Sequence, residues 1–169
     1  MTALAGALEA PSAHGLKAAF GGFPSGVAAI CAEVGGTATG FVVSSFSSGV
    51  SMDPPYVLFS VQHSSSTWPT LRTAERIGVS ILGADHEHIC RRLSAKDQLQ
   101  RFVDVETMTT DRGAILIAGS RVMLECAVVS TSPAGDHDVV VLGIERLAVA
   151  AAVEPLVYLA GRYRGLVAS

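Results

Sequence analysis

Four consecutive hydroxyls, Ser64, Ser65, Ser66 and Thr67, stand where a short apolar run, Tyr56 to Val61, gives way to Trp68-Pro69 and a helical pattern. The start of a helix leaves backbone N–H groups without intrahelical partners, and hydroxyls beside them complete a site for a phosphate group. The same residue types are ordinary helix caps, so spacing alone leaves both roles open. A second hydroxyl cluster lies upstream, where Phe41-Val42-Val43 runs into Ser44-Ser45-Phe46-Ser47-Ser48. Its alternating apolar side chains, backbone amides and terminal hydroxyls suit the polar edge of a flavin ring, although a Ser-rich turn at a strand end reads the same way.

Histidine is the other candidate for chemistry. His137 follows Gly135-Asp136 and begins a strand at a loop rim, where its ring can donate to a carboxamide or a phosphate. His63 directly precedes the serine run and is either part of the phosphate site or a solvated loop residue. His86 and His88 are spaced i,i+2 on a predicted helix and point to different faces, as surface residues do. There is no Gly-x-Gly-x-x-Gly after a strand, no Walker loop, no Gly-x-Ser-x-Gly and no His/Cys cluster with zinc spacing. Dinucleotide-binding Rossmann folds, P-loop folds and zinc sites are thereby disfavoured, and no metal is expected.

The elements that must position these residues are mainly strands. Ser12 caps a short helix whose apolar face includes Leu16 and Phe20, ended by Gly21-Gly22, and this helix is expected to pack on a barrel end. Gly26 to Glu33, the turn Gly35-Gly36 and Thr37 to Ser44 read as a first hairpin, and the following hydroxyls as a loop. Asp53-Pro54-Pro55 must turn, because proline donates no ladder hydrogen bond, and it leads into a buried strand, Tyr56 to Val61. Thr67 to Glu75 reads as a helix with Pro69 in its first turn, Arg76 to Leu82 as a strand, and Asp85 to Leu93 as a helix capped by Asp85. Ser94 to Asp104 reads as a polar connection. Two long strands, Arg121 to Ser130 and Val139 to Val149, flank the turn Pro133-Ala134-Gly135-Asp136. Many strands, few short helices and no βαβ alternation predict a mainly β (α+β) fold, a closed or split β-barrel with short flanking helices.

With 169 residues, 49% of them hydrophobic, the chain suits one domain with a sizeable core, residues 14–169, behind an N-terminal tail, residues 1–13. A net charge of −3 offers no basic field for nucleic acid. Mean hydropathy is high at +0.43. No run approaches the roughly 20 apolar residues of a membrane span, so the excess is assigned to the core and a buried subunit interface. Cys31, Cys90 and Cys126 sit singly within apolar patterns, as reduced core thiols do, which points to the cytoplasm. No Lys or Arg precedes the apolar residues of Met1 to Ala10, so the segment does not read as a secretory signal.

Five motifs in register carry a resemblance over nearly the whole chain from about Leu16: Phe20-Gly21-Gly22-Phe23-Pro24-Ser25-Gly26-Val27, Gly40 to Ser51 with Asp53-Pro54-Pro55, Ser64 to Thr67, Gly135-Asp136-His137, and Leu156-Val157-Tyr158 with Gly161-Arg162-Tyr163-Arg164. Together they resemble the flavin reductase-like family of FMN-binding split barrels, the small reductase components of two-component flavin monooxygenases. The resemblance implies a homodimer that binds FMN or FAD near its interface and takes hydride from NADH or NADPH. It further implies a flavin-dependent monooxygenase as partner, reached through diffusible reduced flavin.

By the same resemblance, Val42, Val43, Ser44 and Ser45 line the isoalloxazine edge, and Ser64, Ser65, Ser66 and Thr67 hold the ribityl phosphate. His137 inherits the link to the nicotinamide nucleotide, and Tyr163 lies in a motif that closes over the site. Gln62-His63 stands where relatives often carry arginine, so the resemblance implies a phosphate site without a permanent positive charge. Ser80 joins the flavin site in place of a common asparagine, and Val42 replaces a threonine. These departures keep a second reading open, a flavin-binding split-barrel protein without reductase activity.

Overall fold

The computed structural model describes residues 10–166. It begins with α1 (Ala13–Gly21), capped by Ser12, whose Oγ accepts from the Gly15 amide at 3.1 Å. Contrary to the expectation that this helix packs on a barrel end, none of its residues is buried, and Leu16 and Phe20 are exposed. Residues 1–9 of the expected tail, 1–13, lie outside the described residues, and its last two residues are the cap and first residue of α1.

The strands follow as β1 (Ser25–Gly26), β2 (Ala28–Val34), β3 (Thr37–Val43), β4 (Ser47–Met52) and β5 (Pro55–Gln62). Gly35 and Gly36 form the two-residue turn between β2 and β3, both at positive φ (59° and 75°), the conformation that glycine adopts without steric penalty. The hydroxyl-rich stretch after β3 is less of a loop than its composition suggests, because Ser47–Met52 pairs with β5 as an edge strand. After β5 the predicted nine-residue helix is reduced to α2 (Trp68–Leu71). Trp68 and Leu71 anchor it in the core, and the Thr73 hydroxyl then donates to the Thr70 carbonyl at 2.8 Å, diverting the backbone from a second turn.

Next come β6 (Ile77–Ile81), a 3₁₀ turn (Ala84–His86) and α3 (Glu87–Leu93). His86, not Asp85, occupies the N-cap position of α3, and its Nδ1 accepts from the Gly83 amide at 3.3 Å. A second 3₁₀ turn (Gln98–Gln100) interrupts the polar connection, and a small hairpin, β7 (Thr107–Thr109) with β8 (Ile115–Ile117), forms where the sequence carried no strand signal. The long hairpin is β9 (Val122–Ala134) and β10 (His137–Val149), with β11 (Val157–Leu159) and β12 (Arg162–Arg164) closing the chain. Its turn is only Gly135-Asp136, since Pro133 and Ala134 still pair across the ladder.

Seven strands make one antiparallel sheet in the order β3-β2-β6-β9-β10-β5-β4. The sheet curls until Phe41 of β3 meets Phe59 of β5, their ring centroids 6.1 Å apart. At that seam the Ser45 hydroxyl donates to the Ser60 carbonyl (2.9 Å) and accepts from the Ser60 amide (3.2 Å). The barrel is therefore closed here by a side chain in place of a backbone ladder, the arrangement of a split barrel. β2 is buried on both faces: Ala28, Ile30 and Ala32 enter the barrel core with Phe59, Leu71 and Leu142, while Ala29 and Cys31 face a second core under α3. Each fully buried large aliphatic side chain contributes about 1.5–3 kcal/mol, so these two cores hold the seam in place.

Candidate functional site

The end of β3, the end of β5 and the start of α2 enclose an open groove of about 530 Å³, within the range of small-molecule sites. Val42, Val43, Ser44 and Ser45 form one wall, Gln62, Ser64, Ser65, Ser66 and Thr67 another, and His137 stands at the rim. His137 reaches this place because β10 pairs with β5 in the register that sets it opposite Gln62. Segments far apart in the chain are thus brought to one concave surface.

The hydroxyls do not all face a ligand freely. Ser65 Oγ accepts from the Trp68 amide at 3.2 Å and caps α2, and Ser64 Oγ donates to Gln62 Oε1 at 3.2 Å. Ser45 is engaged at the barrel seam. A helix of four residues has little dipole to offer an anion. The charge comes instead from Arg101, in the connection that sequence reading treated only as polar chain. Its Nε donates to the Ala95 carbonyl (2.8 Å), and its Nη1 donates to the Gly40 carbonyl (2.9 Å) and to Thr67 Oγ1 (2.7 Å). Among the described residues the guanidinium has no carboxylate partner, and its Nη2 group donates to no protein acceptor, while the side chain lines the groove. The expectation of a groove without permanent positive charge is corrected: a pinned cation stands beside the serine run. Its only sequence signal was a lone arginine between Leu99 and Phe102, which matches no motif. Phe41, Ser60, Val61, Leu93 and Ser94 complete the lining and were also not singled out.

At the rim, the Asp136 carboxylate accepts from His137 Nδ1 at 2.7 Å. That hydrogen bond, with the histidine beside it, holds the Asp136 carboxyl below its ordinary range. The link fixes one ring nitrogen of His137 and leaves Nε2 as the other polar atom.

Three predicted site residues stand elsewhere. Ser80 is fully buried in β6, where its Oγ accepts from the Ile117 amide at 2.9 Å and ties β6 to β8, so it does not line the groove. His63 is not in the groove lining; its Nε2 lies 3.1 Å from Asp138 Oδ1 of β10. Tyr163 lines a small neighbouring hollow of about 190 Å³, which shares Val42, Val43 and Ser44 with the groove. Its ring lies 5.2 Å from that of Tyr158, and burial together with the Cys90 thiol pushes its hydroxyl up to about 12. Among the described residues no cluster of three or more His, Cys, Asp or Glu is suited to a metal ion.

The curled antiparallel barrel thus carries at its seam a groove of strand ends, hydroxyls and one pinned arginine. The family model described as flavin reductase like domain matches residues 20–167, and the chain belongs to that family. It is 32% identical over 153 residues to a flavin reductase of Pseudomonas putida, covering 90% of this chain and 89% of that one. It is 28% identical over 152 residues to the reductase subunit HsaB of a flavin-dependent monooxygenase of Mycobacterium tuberculosis, covering 89% of this chain and 80% of that protein. Among solved structures it resembles the NADH:FAD oxidoreductase SgcE6 of Streptomyces globisporus, in complex with NAD and FAD fragments. That match has a TM-score of 0.86 and 30% identity, and covers 95% of this chain and 96% of the other.

Proposed function

We propose that this protein is an NAD(P)H-dependent flavin reductase that reduces FMN or FAD and supplies reduced flavin to a separate monooxygenase. The observation that carries the reading is Arg101, a pinned cation that lines the groove together with Ser64, Ser66 and Thr67. A fixed cation beside hydroxyls suits the phosphate of a flavin nucleotide, and the strand end Val42–Ser45 suits its ring edge. Flavin held there would supply the electron acceptor for hydride from a reduced nicotinamide. The protein's own residues bind and orient: Arg101 and Thr67 hold the phosphate, the backbone of Val42 to Ser45 meets the ring, and Asp136 fixes the His137 ring where it steadies the nicotinamide nucleotide. No side chain serves as a nucleophile.

The similarity to reductase subunits supports a partner oxygenase served by diffusible flavin. Val128, Val129, Leu147 and Val149 are exposed along the long hairpin, and this apolar surface supports a homodimer. The reduced thiols Cys31, Cys90 and Cys126 support a cytoplasmic site of action, and no helix among the described residues is long and apolar enough to cross a membrane.

The test is oxidation of NADH and NADPH by purified protein with FMN, FAD or no added flavin, followed by nicotinamide absorbance. Turnover that requires flavin is the expected result. His137→Ala is expected to lower that turnover by up to about 100-fold through misplacement of the nicotinamide, with flavin affinity nearly unchanged, and an unchanged rate would remove His137 from the mechanism. Quenched flavin fluorescence without turnover under any combination would instead support the flavin-binding reading.

A further inference from the structure

A separate hollow of about 160 Å³ opens between the β7–β8 hairpin and the outer face of β9 and β10, and it shares no lining residue with the groove. Its floor follows from strand alternation. Leu124 and Cys126 of β9 enter the barrel core, so the alternate residues Met123 and Glu125 face outward. Arg146 and Ala148 of β10 stand opposite Glu125 and Met123 in the ladder and share that face. β8 crosses close over β6 at Gly78, and its Leu116, together with Met108 of β7, walls the remaining side.

Glu125 is 2% exposed, yet neither of its carboxylate oxygens has a hydrogen-bond partner among the described residues. Its ion-pair partner is Arg146, whose Nη1 stands 3.7 Å from Glu125 Oε2, beyond hydrogen-bond reach, and 3.5 Å from Asp111 Oδ1. The Arg146 side chain is itself 66% exposed, so it stands at the mouth of the hollow. Two carboxylates therefore share one guanidinium. The neighbouring network, in which Arg76 and Arg112 meet Glu75 and Glu145, is balanced in itself and lends no charge. A carboxylate held away from water needs both donors and a counter-charge. The fold supplies Glu125 with no donor and with half of a counter-charge.

We infer that this hollow binds a small organic cation, an amidinium or guanidinium group on an apolar body of about one ring. Both Glu125 oxygens are free, which suits the two parallel N–H donors of a planar fork better than a single ammonium. The volume is close to the roughly 150 Å³ that accepts one benzene ring. Met108 and Met123 wall it with polarizable thioethers, which adapt in shape and make favourable contacts with an aromatic ring. Asp111 remains to balance Arg146 once the ligand takes Glu125. The site is independent of the flavin reading, because no residue of the groove takes part. The same head group also occurs on an arginine side chain, and the experiment separates that source from a free cation.

The ligand to titrate is benzamidine, with uncharged benzamide as its control of similar shape. Calorimetry on the wild-type protein is expected to show one benzamidine per chain, with a dissociation constant of about 1 mM or tighter. Benzamide with the wild type, and benzamidine with Glu125→Gln, are each expected to bind about 10- to 100-fold more weakly, the loss of charge-assisted hydrogen bonds. Saturating FMN is expected to leave the titration unchanged. Nuclear magnetic resonance of the methionine methyl groups locates the ligand in the wild type without any variant: the signals of Met108 and Met123 are expected to move, and that of Met52 on β4 to stay. No saturable binding, equal affinity for benzamide, unchanged affinity in Glu125→Gln, competition by FMN, or signals that spare both Met108 and Met123 would each overturn the inference. In sedimentation the association state is expected to be the same with and without benzamidine. Dissociation of an oligomer by benzamidine would instead assign Glu125 to an arginine of a second copy and overturn the free cation as its ligand.

Discussion

Arg101 uses three of its five N–H groups on the Ala95 and Gly40 carbonyls and the Thr67 hydroxyl, so its side chain is held before any ligand arrives. Pre-organisation of this kind removes the entropy loss of fixing a long side chain on binding. Arg101→Gln is expected to weaken FMN binding about 30-fold, the equivalent of roughly 2 kcal/mol for charge-assisted hydrogen bonds to phosphate. Riboflavin, which lacks the phosphate, should bind the variant as it binds the wild type. Fluorescence quenching by the two ligands checks this, and parallel losses would show that Arg101 acts through the shape of the groove alone. The hydroxyl cluster was legible from residue type because a serine run at a helix start is a local pattern. Arg101 was not, since its acceptor Gly40 stands 61 residues earlier in the chain.

At the scale of elements, the close crossing of β6 under β8 secures one of the two cores. A Cβ on Gly78 would stand 2.0 Å from the Ile115 carbonyl oxygen, which is backbone and cannot rotate away. Ser80, two residues on, holds the Ile117 amide from the same strand face. Gly78→Ala is therefore expected to lower unfolding free energy by about 3 kcal/mol, read from urea denaturation. Gly21→Ala, with nothing within 4 Å of its added Cβ, should shift it by no more than about 0.5 kcal/mol. The hairpin β7–β8 that makes this crossing was not visible in the sequence, because strands of three residues carry too few positions for alternation to register. The hairpins closed by Gly35-Gly36 and Gly135-Asp136 were visible, since their turn chemistry is contained in two residues.

For the molecule as a whole, the cysteines tie stability to alkaline pH. Burial pushes the thiols of Cys31 and Cys126 up to about 12 and that of Cys90 up to about 11, against an ordinary value of 9.0. A raised folded-state pKa means that stability is fully present below the ordinary value and is lost as pH rises toward the folded one. The melting temperature is expected to be flat from about pH 7 to 8.5 and to fall from about pH 9 upward. At pH 8 a thiol reagent should label none of the cysteines in the native protein and all of them after denaturation. A native thiol that reacts promptly at pH 8 would contradict the closed cores described here.

The sequence by itself determined the class of fold, the order of its long strands and the two hydroxyl clusters, because alternation and turn chemistry act between near neighbours. Tertiary structure decided the rest. It curled the sheet until Ser45 met Ser60, brought Arg101 to Thr67, buried Ser80 behind the groove and left α1 standing clear of the core. Each of these outcomes depends on contacts between segments distant in the chain, where the packing of two cores, and not the local pattern, selects which side chains meet.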